Sequence, residues 1–270
     1  MYENRVTAFI DILGFRNIIT NTTKNNELQS KILDVLSSMS SDNIANELFG
    51  EISPEVPAEE LEDVKRTVSL FAKAAKLEST IQVTHFSDSI VISVTTVNSM
   101  YVMCIFEFLG RLIYKLWNEF NILLRGAITM DDLIHIENGP LFGPAMVKAY
   151  DLETNLANYP RIIIDEITSN AIKNTDDYKY RMNKLFMDFE GERVIKDKII
   201  KIDNGFEINL VSALNHLSDS HFAFSEQKKN EYELCVQNSP QILKELRDET
   251  ELDNIKEKYQ YLIELFKTDK

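Results

Sequence analysis

The chain has 270 residues, of which 44% are hydrophobic and 27% are charged, with only 8 glycines and 6 prolines. This composition is typical of a folded globular protein and excludes a disordered or collagen-like chain. The 29 basic and 43 acidic residues give a formal net charge of −14. Such an acidic surface repels phosphate backbones, so we do not expect duplex nucleic acid as a partner.

Hydrophobic periodicity predicts the secondary structure in chain order. The predicted elements are a strand at 5–13, helices at 26–48 and 59–78, a hairpin of strands 80–86 and 89–94, a helix at 99–120, strands at 122–130 and 133–136 with a turn at Asp131-Asp132, a helix at 143–157, a strand at 161–165, a helix at 166–174, strands at 193–203 and 205–211, and a long helix near 239–268. This order predicts an α/β (α+β) fold of ferredoxin-like or palm type, in which helices cover a mostly antiparallel sheet.

The predicted organisation is a main domain over residues 1–214 and a helical C-terminal extension over 215–270. The most apolar segment, 100–120, is interrupted by charges, which indicates a buried amphipathic helix and no membrane insertion. The first residues lack a basic segment followed by a long apolar run. With only two cysteines in the chain, we expect a cytoplasmic protein.

Two aspartates stand out because each follows or interrupts an apolar strand. Asp11 lies at the end of the first strand, and Asp88 lies in the tight turn of the hairpin. If the first strand and the hairpin are neighbours, the two carboxylates can share divalent cations, and their hard oxygens suit Mg²⁺ or Mn²⁺. Nucleotide phosphates would complete the coordination, and the backbone N–H groups of Leu13, Gly14 and Phe15 could hold phosphate oxygens. Each aspartate taken alone is also compatible with a turn or helix-cap role.

The chain resembles the class III nucleotidyl cyclases in four segments that occur in the family's order. Residues 9–15 (FIDILGF) are similar to the family's F-x-D-I-x-G-F, and Ser87-Asp88 corresponds to its Gly-Asp hairpin turn. Residues 124–128 (LRGAI) and 143–153 (GPAMVKAYDLE) resemble the later L-R-x-G-I strand and G-x-x-V-N-x-A-x-R-x-E helix. The resemblance covers roughly residues 5–165. Within the family, the chain is most similar in these segments to bacterial antiphage pyrimidine cyclases of the Pycsar type.

The resemblance implies a metal-dependent nucleotide cyclase, a lyase that releases pyrophosphate. The substrate would be UTP or CTP, and the product a 3′,5′-cyclic mononucleotide (cUMP or cCMP) acting as a second messenger in antiviral defence. Two divalent ions would be held at Asp11, Ile12 and Asp88, and the nucleotide at Ile12, Leu13, Gly14 and Phe15. A homodimer with sites at the subunit interface is also implied.

The chain departs from the family at the positions that stabilise the transition state. The family's Asn falls on Val147 and its Arg on Asp151, and an Arg there would stabilise charge on the α-phosphate. The basic residues that could take over are Lys148, Arg125 and Arg161, each of which could instead make a structural ion pair.

Two alternatives to a cyclase therefore stay open. One is a catalytically inactive cyclase-fold module that binds a nucleotide or a partner protein, which Val147 and Asp151 favour. The other is a nucleotidyltransferase that joins nucleotides, since a palm-like sheet with two acids suits both reactions.

Overall fold

The structure is a computed structural model, and it describes residues 1–15, 19–20, 25–38, 80–97, 99–175, 179, 182–195, 198–219 and 226–268. The helix predicted at 59–78 and the second half of the one at 26–48 lie outside these residues. The strands are β1 (Glu3–Ile12), β2 (Ile81–Phe86), β3 (Ser89–Thr95), β4 (Leu124–His135), β5 (Leu141–Phe142), β6 (Arg161–Ile164), β7 (Met187–Ile195) and β8 (Lys198–Asn209). The helices are α1 (Asn26–Ser38), α2 (Ser99–Phe120), α3 (Pro144–Leu156), α4 (Glu166–Lys173), α5 (Leu210–Asp219), α6 (Glu226–Glu249) and α7 (Asp253–Thr268).

Within the described residues, these strands form one eight-stranded sheet in the order β2-β3-β1-β4-β6-β8-β7, and β5 pairs with the end of β4. All neighbours are antiparallel except β4 and β6, which α3 connects in parallel. The α+β fold with a mostly antiparallel sheet is therefore confirmed. No helix in the described parts of the chain is long and apolar enough to cross a bilayer.

The alternation of side chains along β1 assigns the two faces of the sheet. Val6, Ala8, Ile10 and Ile12 belong to the main core, which also includes buried residues of α2, α5, α6 and α7. Phe9 points to the opposite face, where it packs with Val91 and with Ala149 of α3. Asp11 follows Phe9 by two residues, so its side chain lies on the α3 face.

The predicted turn at Asp131-Asp132 is wrong, because β4 runs unbroken from Leu124 to His135. The long partner strand β1 explains the difference, since its ladder with β4 extends from Ile12 opposite Leu124 to Glu3 opposite Leu133. Asp131 lies opposite Arg5 in that ladder, and one of its carboxylate oxygens accepts the N–H of Asp132. Tertiary pairing thus overrides the turn preference of two consecutive aspartates.

The bounds predicted for the last two strands are also wrong. The break predicted between residues 203 and 205 does not exist, because β8 runs unbroken from Lys198 to Asn209 and Gly205 lies inside it. A Cβ atom at this position would come within 2.6 Å of the carbonyl oxygen of Ile164 on β6. The glycine is therefore needed for close approach of two strands, and Ile195 at the end of β7 pairs with Lys198 at the start of β8.

The single helix predicted near 239–268 is in fact two helices, α6 and α7, and α6 continues through Pro240. Ser239 fixes this part of α6 to α2: its hydroxyl accepts the indole N–H of Trp117 at 2.8 Å and donates to the Cys235 carbonyl at 2.6 Å. Leu243 of α6 and Leu262 of α7 are fully buried in the main core. The division of the chain at residue 214 stays a prediction.

A buried polar network joins β4 to the β2–β3 hairpin. The imidazole of His135 lies 2.8 Å from the Ser93 hydroxyl through Nδ1 and 2.9 Å from the Thr84 hydroxyl through Nε2. Arg5 donates its Nε–H to the same Ser93 oxygen. The Ser93 hydrogen is then free for Nδ1, so Nε2 carries the proton of the neutral ring. Burial, with the Arg5 charge adding to it, lowers the pKa of His135 to about 4.

We expect this network to make stability depend on pH. The folded pKa of about 4 lies below the ordinary value of 6.5, so between these values the unfolded chain binds more protons and stability rises with pH. The gain is at most about 3 kcal/mol. Urea unfolding of the wild type and His135→Gln across pH 4–7 checks this, since the variant should lose that part of the slope. Parallel pH profiles for the two proteins would contradict the assignment.

Candidate functional site

The two predicted metal-binding aspartates lie side by side at one end of the sheet. Asp11, at the end of β1, pairs with Ser89 of β3, and the next residue, Ile12, donates its N–H to the carbonyl oxygen of Asp88 at 2.9 Å. Asp88 is exposed in the β2–β3 turn, after Ser87 with a positive φ of 55°. The hairpin turn therefore places Asp88 beside the end of β1, because the first strand and the hairpin are neighbours in the sheet.

Arg125 links Asp11 to a third carboxylate. Its Nε donates to Asp11 Oδ2 at 2.8 Å and lies 2.8 Å from Oε1 of Glu153 on α3. A single Nε–H cannot serve both acceptors, and Glu153 Oε1 is buried without a hydrogen bond. Burial raises the pKa of Glu153; Arg125 opposes this and the Asp11 charge adds to it. The site thus holds a partly neutralised cluster of negative charge.

Gly126 allows this cluster to form. It lies opposite Ile10 in the β1–β4 ladder, and a Cβ atom there would stand 2.5 Å from the carbonyl oxygen of Phe9. Any side chain would push β1 and β4 apart at the position next to Asp11 and Arg125. The glycine in the LRGAI segment is explained by this close approach.

The turn after β1 has fewer free backbone donors than the sequence suggested. Ile12 N–H donates to Asp88 and Leu13 N–H donates to Leu123 at 3.0 Å. Gly14 has a positive φ of 76°, and a Cβ at its position would meet none of the described residues within 4 Å. Of the residues predicted to bind the nucleotide through N–H groups, Gly14 and Phe15 are those that keep this possibility.

The three predicted replacement cations have different environments. Arg125 lies at Asp11, as described. Lys148 forms an ion pair of 2.5 Å with Asp165, which also caps α4 through the Thr168 N–H and accepts the hydroxyl of Thr129. Thr129 follows Arg125 by four residues on β4, so this ion pair is about 13 Å from Arg125. Lys148 is therefore separated from the carboxylates of the site.

Arg161 starts β6, next to β4, but its guanidinium points away from Asp11. It donates to Glu207 of β8 at 3.0 Å and to the Leu156 carbonyl, and it lies 4.6 Å above the ring centre of Phe189. These contacts are those of a structural ion pair enclosed by aromatic rings. The structural ion pair that was the alternative for Arg161 is thus formed with Glu207.

The positions that carry the family's Asn and Arg lie on the outer side of α3. Val147 is 62% exposed, and Asp151 is partly exposed. The buried residues of this helix are Ala145, Ala149, Leu152, Glu153 and Leu156. Neither Val147 nor Asp151 supplies a positive charge, so Arg125 is the cation of the site among the residues singled out from the sequence.

Two residues of the site were missed. Glu153 ends the quoted GPAMVKAYDLE segment and received no role, although an acid on the buried stripe of α3 was a detectable signal. Lys258, on α7, interacts electrostatically with both Arg125 and Asp11. No pattern in the sequence connects Lys258 with residues more than a hundred positions earlier.

The carboxylates fit a hard divalent cation. Within the described residues, neither Oδ1 of Asp11 nor the Asp88 carboxylate makes a hydrogen bond or ion pair. The described residues contain no group of three or more His, Cys, Asp or Glu side chains able to hold a metal ion on their own. Asp11 and Asp88, with the backbone of Ile12, would therefore bind the ions together with substrate phosphates.

Comparison with known proteins gives structural likeness without sequence likeness. No protein-family model matches the chain, and no curated protein matches it.

Three solved structures illustrate the likeness. The adenylate/guanylate cyclase/hydrolase from Silicibacter pomeroyi is 14% identical, with 77% of this chain and 98% of that chain covered and a TM-score of 0.45. The adenylyl cyclase CyaB from P. aeruginosa is 13% identical, with 77% and 94% covered and a TM-score of 0.43. A bacterial light-regulated adenylyl cyclase is 14% identical, with 86% and 99% covered and a TM-score of 0.42. Values this low establish neither family nor activity, so the function must follow from the site.

Proposed function

We propose that the chain is a metal-dependent nucleotide cyclase, which converts a nucleoside triphosphate to a 3′,5′-cyclic mononucleotide and pyrophosphate. The observation that carries this proposal is the placement of Asp88, in the turn before β3, beside Asp11 at the end of the neighbouring strand β1, where the Gly14 turn begins. The resemblance of the sequence to class III cyclases supports it. Both aspartates retain free carboxylate oxygens among the described residues.

The reaction forms a bond between the ribose 3′-oxygen and the α-phosphorus and breaks the bond from that phosphorus to the α–β bridging oxygen. Pyrophosphate leaves, and the hydroxyl proton passes to solvent. Divalent ions, when bound, would lower the charge of the triphosphate and favour ionisation of the 3′-hydroxyl. Arg125 holds Asp11 in place through Nε. Its terminal nitrogens donate no hydrogen bond within the described residues, so they can bind phosphate oxygens.

The finer parts of the proposal come from the resemblance to antiphage pyrimidine cyclases. They are UTP or CTP as substrate, Mg²⁺ or Mn²⁺ as cofactor, a role in antiviral defence and a cytoplasmic location. We also propose a homodimer, which the exposed apolar side chains near the site support. Val147 and Tyr150 of α3 are 62% and 51% exposed, and Phe86 beside the hairpin turn is 47% exposed.

The second candidate is a nucleotide-binding module without turnover. Val147 and Asp151 favour it, because neither can stabilise charge on the α-phosphate. The ion pairs of Lys148 with Asp165 and of Arg161 with Glu207 favour it further. They engage two of the three basic residues that were predicted to replace the family's transition-state Arg. A nucleotidyltransferase that joins nucleotides has no such observation in its support.

The decisive experiment is incubation of the purified protein with ATP, GTP, CTP and UTP separately, with Mn²⁺ and then Mg²⁺. Products are identified by mass spectrometry. A cyclic mononucleotide from UTP or CTP is the expected result, whereas linked dinucleotides would identify a nucleotidyltransferase. Metal-dependent nucleotide binding without any product over hours would replace the cyclase proposal with the binding module.

A further inference from the structure

Tyr261 of helix α7 contacts residues at the end of the sheet that carries Asp11. The Tyr261 hydroxyl donates to Glu207 of β8 at 2.6 Å, and the Tyr261 ring stacks on Tyr159, which precedes β6, with 4.7 Å between the ring centres. The guanidinium of Arg161, the first residue of β6, lies 5.7 Å from the centre of the Tyr261 ring. These contacts fix one face of α7 over the ends of β6 and β8.

Lys258 lies on the same face of α7, one turn before Tyr261. One turn advances about 5 Å, which is close to the spacing of neighbouring strands. Tyr261 lies beside Arg161, and Ile162, the residue after Arg161, pairs with Gly126, the residue after Arg125. A step of one turn from Tyr261 can therefore bring Lys258 near Arg125. The electrostatics agree with this placement: burial lowers the pKa of Lys258, the Arg125 charge adds to the lowering, and the Asp11 carboxylate opposes it.

The ammonium group of Lys258 has no partner of its own in the described part of the chain. It is half-buried and makes neither an ion pair nor a hydrogen bond there. The other basic residues around this end of the sheet are engaged, Arg125 with Asp11 and Arg161 with Glu207. A half-buried ammonium near a second cation is unfavourable unless anions offset the repulsion; Asp11 does so in part, and a bound anion would offset it further.

We infer that Lys258 binds the phosphate chain of the substrate, so that the C-terminal helix α7 supplies the positive charge that Val147 and Asp151 do not. The inference rests on the proposed function, since it takes the Asp11 end of the sheet as the triphosphate site. Arg125 and Lys258, on two different elements, would hold phosphate oxygens from two sides. A compact ammonium on a flexible stem suits this role, because it can follow the phosphates through the reaction.

The test measures binding of inorganic tripolyphosphate with Mg²⁺ by calorimetry, which requires no turnover. Lys258→Gln should weaken binding about 10- to 100-fold, which is the effect of losing one charged hydrogen bond. Lys258→Arg keeps the charge and should bind within a few-fold of the wild type. Lys256→Gln is the matched control: Lys256 is on the same helix and pairs with Asp253, and its loss should leave binding unchanged.

Thermal unfolding of each variant shows whether α7 remains folded. Wild-type affinity in folded Lys258→Gln, or no tripolyphosphate binding by the wild type, would overturn the inference. Equal losses in Lys258→Gln and Lys256→Gln would also overturn it, because a general charge effect would then be responsible. If tripolyphosphate binds through Lys258 but no nucleotide is cyclised, the inference stands and the cyclase proposal fails.

Discussion

Replacing Asp11 with asparagine should abolish formation of the cyclic nucleotide, with a loss of about a thousandfold or more in kcat/KM. Asparagine keeps the shape of the side chain but has no charge, so it binds a divalent cation poorly. It also removes one of the two carboxylates that lie 2.8 Å from the Arg125 Nε and leaves only that of Glu153. Initial rates measured by mass spectrometry, on whichever triphosphate the wild type uses, check the prediction.

Asp132→Asn is the matched control for this variant. Asp132 is an exposed aspartate of β4, at the opposite end of the strand from Arg125, and it pairs with Asn4 of β1. The same chemical change there should leave the rate within about twofold, as for most surface substitutions. A wild-type rate in folded Asp11→Asn protein would exclude Asp11 from the reaction and remove the basis of the cyclase proposal.

Replacing Arg125 with methionine should lower both stability and activity. The side chains of Arg125, Asp11 and Glu153 are 29%, 17% and 4% exposed. Without the guanidinium the two carboxylates face each other unneutralised, and removal of one partner from such a cluster costs about 3 kcal/mol. Urea unfolding at pH 7 measures this loss. Activity should fall by at least about a hundredfold, because one preorganised charge for the phosphates is lost.

The double variant Arg125→Met/Glu153→Gln separates the two effects. It removes one of the two unpaired charges, so part of the stability lost in Arg125→Met should return, while activity should stay low. Two results would contradict this account of the cluster. One is a single variant as stable as the wild type, and the other is a double variant that regains activity along with stability.

Local pattern was sufficient to predict the part of the fold that forms the site. The apolar run before Asp11 and the hairpin around Asp88 both have turn residues at their ends, and β1, β2 and β3 have nearly the predicted bounds. Strand β1 and the hairpin strand β3 are both apolar, and pairing such strands in one sheet predicts that they are neighbours. The juxtaposition of Asp11 and Asp88 was therefore accessible from the sequence.

The errors arose where distant segments decide the structure. Asp131 and Asp132 favour a turn locally, but the ladder with β1 extends past them. The last helix was predicted to begin near residue 239, yet α6 begins at Glu226 and continues through Pro240. Its neighbour Ser239 is held by Trp117 of α2, a contact between residues far apart in the chain.

The same dependence on distant segments explains why only some residues of the site were predicted correctly. Arg125 was named because it lies in a short motif, and the structure places it at Asp11. Lys148 and Arg161 were equally plausible by type, but ion pairs with Asp165 and Glu207 engage both. Lys258 interacts electrostatically with Arg125 and Asp11 through the tertiary fold, which no local pattern of charge or hydrophobicity encodes.

Because of the hydrogen bond between Trp117 and Ser239, the fluorescence of Trp117 reports whether α6 is attached to α2. Trp117 is the only tryptophan of the chain, and its buried indole N–H donates to the Ser239 hydroxyl of α6. The emission wavelength of an indole depends on whether water reaches it, so detachment of α6 from α2 would shift the fluorescence to the red. The attachment of the C-terminal helices, and with them Lys258, can thus be followed in solution without a label.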